Sequence, residues 1–279
     1  MALSKLMEGI YADVSGTNGG NHGAIVLENE IVMIDSGMIH HKSLETKNNL
    51  EEKVGLSIEN LILTHSHSDH VFGAQAFEPV NIIASVPMQE RCDKNLEAEW
   101  KRESLLKRYF EVKEERPELW NAVKTLSIRV PTITFRDKIS LGKDSEITVK
   151  LLGGHTSGSS IVISHKQKAI FVGDLIFNGL FPYGGDPTCN PDDWIEALEE
   201  VRDIGYETII PGHGPICGIN ELEEYTHALK ELRDAVRNAV LFGTLKEQMM
   251  DEGQIPKPLQ SGIERFGDVT LDHWFGFYQ

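Results

Sequence analysis

The sequence predicts an α/β fold. Three observations carry this: short apolar runs of buried-strand type recur along the chain, segments of helical periodicity separate them, and ligating residue types stand where the apolar runs stop. At 279 residues the chain is long for one domain, but α/β units of this size are common, and no low-complexity tract, Pro/Gly/Ser linker or short repeat divides it. One domain is expected over 1–279, with a helical insertion at about 88–128 and a C-terminal helical segment at about 220–279.

Residues 1–63 read as mostly β. The stretch GAIVLENEIVMIDSG, 23–37, holds two apolar runs joined at Glu28, Asn29 and Glu30, a hairpin pattern. NLILT (60–64) and NIIAS (81–85) are short buried-strand runs, and VFGAQAF between them suits a helix. From Met88 to about Ser127 the pattern is helical and highly charged. Leu96, Trp100, Leu105, Leu106, Tyr109 and Phe110 mark one apolar face; Leu119, Trp120, Val123 and Leu126 mark another after Pro117. Two surface helices packed on the core are expected there, with a cap overhanging a site as the sharper reading.

Strands resume with EITVKLLGG (146–154), SIVIS (160–164) and KAIFVGD (168–174). Asn190 then reads as a helix N-cap, with Pro191 in the first turn, Asp192 and Asp193 at the positive end, and Gly205 beyond the stop. ETIIPGHG is a strand running into a turn. Asn220 is expected to cap a long amphipathic helix carrying Leu222, Tyr225, Leu229, Leu232, Val236 and Val240, and the aromatic tail HWFGFYQ is expected to dock.

With 27 Lys and Arg against 43 Asp and Glu, the net charge is −16. So acidic a surface repels phosphate backbones and anionic lipid headgroups. A small-molecule substrate is expected, with neither nucleic acid nor membrane as partner; the aromatic tail leaves a homodimer open. Cys92, Cys189 and Cys217 are few, odd in number and far apart, which favours a reducing compartment over a disulfide framework. MALSKLMEGI lacks the apolar core of a signal peptide, and no stretch is apolar enough to span a bilayer. The expected location is cytoplasmic.

The chemistry gathers at the ends of the apolar runs. LILT leads into His65, His67, Asp69 and His70; ITVKLLGG into His155; IFVG into Asp174; TIIPG into His213. In open α/β architectures ligands bind beyond the carboxyl ends of strands, and five imidazoles with two carboxylates suffice for two divalent ions such as zinc. If Thr64 to His67 stays extended, His65 and His67 project to one side, while Asp69 and His70 point elsewhere as the chain turns into a helix. His40 and His41 read as loop residues, His165 as a turn residue and His227 as lying on the polar side of a helix, all solvated; His22 and His273 are left open.

THSHSDH, GHTSGS, VGD and PGHG, in that order across 64–214, resemble the metallo-β-lactamase superfamily, and MIDSG around Asp35 matches its earlier aspartate motif. The resemblance implies a four-layer αβ/βα sandwich, two mixed β-sheets face to face and flanked by helices, with a dinuclear site along one edge. Carried over by position, it implies one ion on His65, His67 and His155, another on Asp69, His70 and His213, Asp174 bridging both, and Asp35 ordering the ligand loop. The implied cofactors are two divalent metal ions, zinc first, with iron or manganese as alternatives. Asp174 stands where several β-lactamases carry cysteine or no bridging ligand, and His67 where flavodiiron proteins place glutamate. The full set is similar to glyoxalase II enzymes and N-acyl-homoserine lactonases.

The expected function is a metal-dependent hydrolase in which a metal-bridged hydroxide cleaves an ester, thioester or lactone. Asp69 would orient the nucleophile or move its proton while remaining a ligand; Tyr183, in the Gly/Pro-rich loop FNGLFPYGGDP, reads first as a packing residue and second as a hydrogen-bond donor to the substrate. The alternatives are a mononuclear-iron persulfide dioxygenase using His65, His155 and Asp174, a nuclease or phosphodiesterase, and a non-catalytic metal-binding homologue.

Overall fold

A computed structural model describes residues 3–251 and 253–279. Two mixed sheets are stacked face to face, and each is covered by helices on its outer side. The first takes β1 (Ser4–Met7), β2 (Ile10–Asp13), β3 (His22–Val26) and β4 (Ile31–Ile34) as an antiparallel meander. Helix α1 (His40–Val54) then crosses over to β5 (Ile58–Ile62), which pairs parallel to β4. A single turn α2 (Ser68–Val71) and a tighter helical turn over Phe72–Phe77 lead to β6 (Asn81–Ser85). Three helices, α3 (Val86–Glu97), α4 (Arg102–Phe110) and α5 (Pro117–Lys124), precede the edge strand β7 (Ile133–Phe135).

The chain changes sheets between β7 and β8 (Lys138–Leu141). Strands β8, β9 (Ile147–Leu151), β10 (Ser160–Ser164) and β11 (Ala169–Phe177) pair antiparallel in sequence. Helix α6 (Pro191–Ile204) carries the chain back to β12 (Thr208–His213), parallel to β11 at the other edge. Helices α7 (Ile219–Phe242), α8 (Lys246–Asp251) and α9 (Ile263–Tyr278) complete the described chain.

Why the strands read as continuous apolar runs follows from this stacking. On β4, Val32 and Ile34 face the other sheet while Ile31 and Met33 face the helices; on β10, Val162 faces inward and Ile161 and Ile163 outward. Both faces are buried, so successive residues are apolar although they alternate sides. The inner layer joins Ile25, Val32 and Ile62 to Val149, Phe171 and Ile210. The four-layer sandwich expected from the sequence is the observed architecture.

Several local expectations need correction. The region after β4 is not β: α1 begins at His40, and its buried face is only Ser43, Thr46 and Leu50, too little apolar content to show helical periodicity. His40 and His41 therefore start a helix, and both are half-buried rather than solvated, with His40 Nε2 3.0 Å from Thr125 Oγ1. The insertion holds three helices, not two; Trp100, Leu105, Tyr109, Leu119 and Val123 are buried, whereas Leu96 and Phe110 are exposed. Asn220 lies inside α7, whose N-cap is Gly218, closed by Glu221 Oε2 accepting from Gly218 N–H at 2.9 Å. Asn190 does cap α6, accepting from the N–H of Asp192 and Asp193, and Gly205 ends it in the left-handed conformation. The tail docks through Trp274, buried against Trp194. No described helix is long and apolar enough to cross a membrane.

Candidate metal centre

The seven candidate ligands come from both sheets and meet at one rim of the sandwich. His65 and His67 follow β5, and Asp69 and His70 sit on the first turn of α2, with His67 as its N-cap. His155 lies in the loop after β9, and His213 is the last residue of β12. Asp174 departs from expectation, because β11 continues to Phe177 and the aspartate lies within it, one residue after a register shift at Gly173.

Two groups of donor atoms form: His65, His67, His155 and Asp174, and beside them Asp69, His70 and His213. His67 Nδ1 lies 3.1 Å from both His65 Nε2 and His155 Nε2. Asp174 stands between the groups. Its Oδ2 is 3.4 Å from His65 Nε2, 3.6 Å from His155 Nε2 and 3.4 Å from His213 Nε2, and its Oδ1 is 3.0 Å from His70 Nε2. Asp69 Oδ2 reaches His213 Nε2 at 3.3 Å.

These atoms fit metal ions better than they fit one another. His70 Nε2 and Asp174 Oδ1 are buried without an aligned hydrogen bond, as is His155 Nδ1. Leaving such groups unmatched is expensive, and ring nitrogens converging from three imidazoles cannot all serve as donors to each other. The electrostatics agree. Burial pushes the Asp174 carboxyl up, but the imidazoles of His213, His70 and His65 outweigh it and hold the group well below the usual carboxylate range. Burial opposes charge on His67 too, yet Asp174 and Asp186 raise it to about 9. His213 is raised to about 9 against burial by Asp174 and Asp69. Burial and neighbouring imidazoles instead hold His65 and His155 below the usual histidine range, toward the neutral form that binds metal.

Outer contacts aim the ligands. Asp35, with φ of 55° in the left-handed region, receives the Thr64 N–H on Oδ1 and the Thr64 hydroxyl on Oδ2, each at 2.8 Å. The same Oδ2 accepts from His70 Nδ1 at 2.8 Å. This anchors a backbone conformation that is costly for a non-glycine residue, in keeping with the ordering role implied for Asp35. His213 stacks on Phe177 with ring centroids 4.9 Å apart, and His155 meets Trp194 edge-on at the same separation. At Gly212 a Cβ would lie 2.0 Å from Asp174 Oδ1, so only glycine lets the two strands approach this closely.

Sequence reasoning missed three contributors. Asp186, in the loop that carries Tyr183, stands 3.4 Å from His67 Nε2, on the side away from the other ligands, and 3.6 Å from Arg91 Nε. Asn21 donates to the carbonyls of Pro211 and Gly214, clamping the turn that bears His213. Asn18 joins Ile39 N–H to Ser43 Oγ and steadies the segment after Asp35. Only Asp186 had a local signal, its place three residues after Tyr183 in the Gly/Pro-rich stretch FNGLFPYGGDP.

Of the remaining histidines, His22 is buried in β3 and His273 Nε2 contacts the Cys189 carbonyl at 3.0 Å. His165 and His227 are exposed. Tyr183 lines the cavity above the centre, its ring 5.2 Å from that of His67, and burial raises its pKa so the phenol keeps its proton.

Comparison with known proteins agrees with this geometry. The family profile described as "Metallo-beta-lactamase superfamily" matches residues 16–213. "Acyl-coenzyme A thioesterase MBLAC2" of Gallus gallus is 29% identical over 175 residues, 58% of this chain and 58% of that protein. Its Bos taurus counterpart is 29% identical over 169 residues, again 58% of each. The match thus spans less than two thirds of either thioesterase. "Beta-lactamase-like protein 2 homolog" of Caenorhabditis elegans is 29% identical over 97 residues, 32% of this chain and 31% of that one. Among solved structures, a metallo-beta-lactamase from Pontibacter korlensis superposes with a TM-score of 0.63 at 16% identity, covering 82% of this chain and 98% of its own. One from Hirschia baltica gives 0.59 at 18%, covering 81% and 95%. The chain belongs to the metallo-beta-lactamase superfamily.

Proposed function

We propose that this chain is a dinuclear metal hydrolase, with zinc as the first choice of ion, that cleaves an ester, thioester or lactone of a small molecule. The observation that carries the reading is the convergence of two donor groups on the two oxygens of Asp174. One cation would be held by His65, His67 and His155, the other by Asp69, His70 and His213, with Asp174 shared. The family membership supports metal-dependent hydrolysis, and two relatives named as acyl-coenzyme A thioesterases favour the thioester within the class. The three free cysteines support a cytoplasmic setting.

Bound in pairs, such cations supply Lewis acidity, making water acidic near neutral pH and drawing charge from a carbonyl oxygen. The chain's own residues do the rest. Asp69, partly exposed to the cavity and held by His213, would orient the attacking water and pass its proton on. Tyr183, protonated and at the cavity wall, would donate to the substrate carbonyl or leaving group. Met38, Trp100, Phe177 and Phe266 give that cavity an apolar lining against which an acyl chain can pack.

The test is metal analysis of protein purified without added metal, paired with turnover of an ester, thioester and lactone panel before and after chelation. Two zinc per chain and turnover that disappears with the metal support the proposal. Undiminished turnover by the stripped protein overturns it. One iron per chain with persulfide-dependent oxygen uptake would point to the dioxygenase instead, a reading that leaves Asp69, His70 and His213 without a role.

A further inference from the structure

The cavity over the metal centre has a volume of about 410 Å³, and four of the chain's ten arginines line it: Arg91, Arg108, Arg116 and Arg265. No lysine does. Four carboxylates, Asp69, Glu99, Asp174 and Asp186, line it too, so acids and arginines balance there on a chain whose net charge is −16. The arginines come from two separate regions, the helical insertion and α9.

Their partners divide them. Arg91 lies 3.6 Å from Asp186 and 3.5 Å from Glu99, so its charge is already matched within the protein. Arg108 shares Glu99, at 3.2 Å, and half its side chain is exposed. Arg116 and Arg265 are exposed, and among the described residues neither has an ion-pair partner. The Arg265 guanidinium lies over the Phe266 ring, 4.5 Å from its centroid, which limits its freedom and leaves its N–H edge to face a ligand. A guanidinium fork matches carboxylate and phosphate oxygens in pairs, whereas an ammonium is a point charge; a cavity lined by arginine and not lysine suits planar or tetrahedral oxyanions. Deeper in the cavity the carboxylates of Asp69 and Asp174 are already engaged by imidazoles and do not reach the rim arginines.

We propose that Arg116 and Arg265, with Arg108 beside them, form an anion-recognising rim. The substrate is then a thioester or ester whose carrier group bears phosphates or carboxylates away from the scissile bond. The carrier rests at the mouth and the acyl portion enters past Trp100 and Phe266. This deepens the hydrolase reading and rests on it for the nature of the bond cleaved.

The experiment separates the two. Three non-hydrolysable thioethers with the same alkyl group, S-propyl coenzyme A (phosphates), S-propyl glutathione (carboxylates) and S-propyl pantetheine (uncharged), are titrated calorimetrically into metal-loaded protein. At least one charged thioether is expected to bind roughly tenfold or more tightly than the pantetheine one, with an advantage that shrinks as salt rises. Which of them binds identifies the anion. The double variant Arg116→Ala, Arg265→Ala is expected to lose that advantage, while Arg202→Ala, whose side chain pairs with Asp203 on α6, keeps it. Equal binding of all three, or an advantage that survives in the double variant, overturns the rim. The matching propionyl thioesters are then assayed for hydrolysis, where the double variant should raise KM for the charged ester far more than it lowers kcat. Tight, arginine-dependent binding without hydrolysis of any thioester would leave the rim standing and remove the hydrolase. Hydrolysis without charge preference would do the reverse.

Discussion

Asp35 and His70 are locked together: the carboxylate accepts from His70 Nδ1 at 2.8 Å, and its two oxygens also take both donors of Thr64. The contact fixes which ring nitrogen keeps its proton and leaves His70 Nε2 directed at Asp174. Replacing Asp35 with Ala should weaken binding at the Asp69, His70 and His213 group by roughly 10–100-fold, the usual effect of removing an outer partner of a metal-ligating histidine. Competition of the variant and parent with a chromogenic zinc chelator measures it. Equal affinities would contradict the role assigned here.

Gly212 offers a steric test. Alanine there would place a methyl 2.0 Å from Asp174 Oδ1, with both residues on paired strands that have little room to part. Gly212→Ala is expected to lose metal and activity and to destabilise the fold by roughly 1–3 kcal/mol, the range for overpacking. Metal content and urea unfolding report the two effects separately.

Asp186→Ala removes the carboxylate behind His67 and frees Arg91 from one of its two partners. Lower zinc affinity is expected, with the larger effect at the His65, His67 and His155 group. Cobalt substitution, read by visible absorption, distinguishes the two groups.

Chelation should destabilise the protein as well as silence it, because the folded chain then loses the metal's binding energy and buried atoms such as Asp174 Oδ1 and His70 Nε2 are left without aligned partners. A ligand at a thousand times its dissociation constant stabilises by about 4.1 kcal/mol. A melting temperature that falls on adding chelator and recovers with zinc is the expected result.

At α6 the expectation is different. Asn190→Ala removes the side chain that accepts from two first-turn N–H groups. It should cost about 1 kcal/mol without altering zinc content, since the residue touches no candidate ligand through its side chain.

The histidines after β5 were legible because the chain there departs abruptly from an apolar run, and no packing argument calls for three imidazoles and a carboxylate in succession. His155, Asp174 and His213 were legible for the same reason, each against its own apolar strand. What stayed hidden was hidden for physical causes. Helix α1 buries Ser43, Thr46 and Leu50, so its inward face carries little hydrophobic signal. Strands β1 and β8 lie at sheet edges with partly exposed, mixed residues, which lack the continuous apolar content of strands covered on both sides. Asn21 reaches carbonyls at Pro211 and Gly214, far along the chain, and nothing local to it announces that partnership.

The crossing between the sheets falls between Phe135 and Lys138, at the edge strands of the two layers. His65, His67, Asp69 and His70 lie before that crossing, and His155, Asp174 and His213 after it. Any cation seated at the rim is therefore a rivet between two halves of the polypeptide, neither of which holds a full coordination set. If the centre is loaded as proposed, metal supplied during folding would favour the association of the halves as well as complete the site.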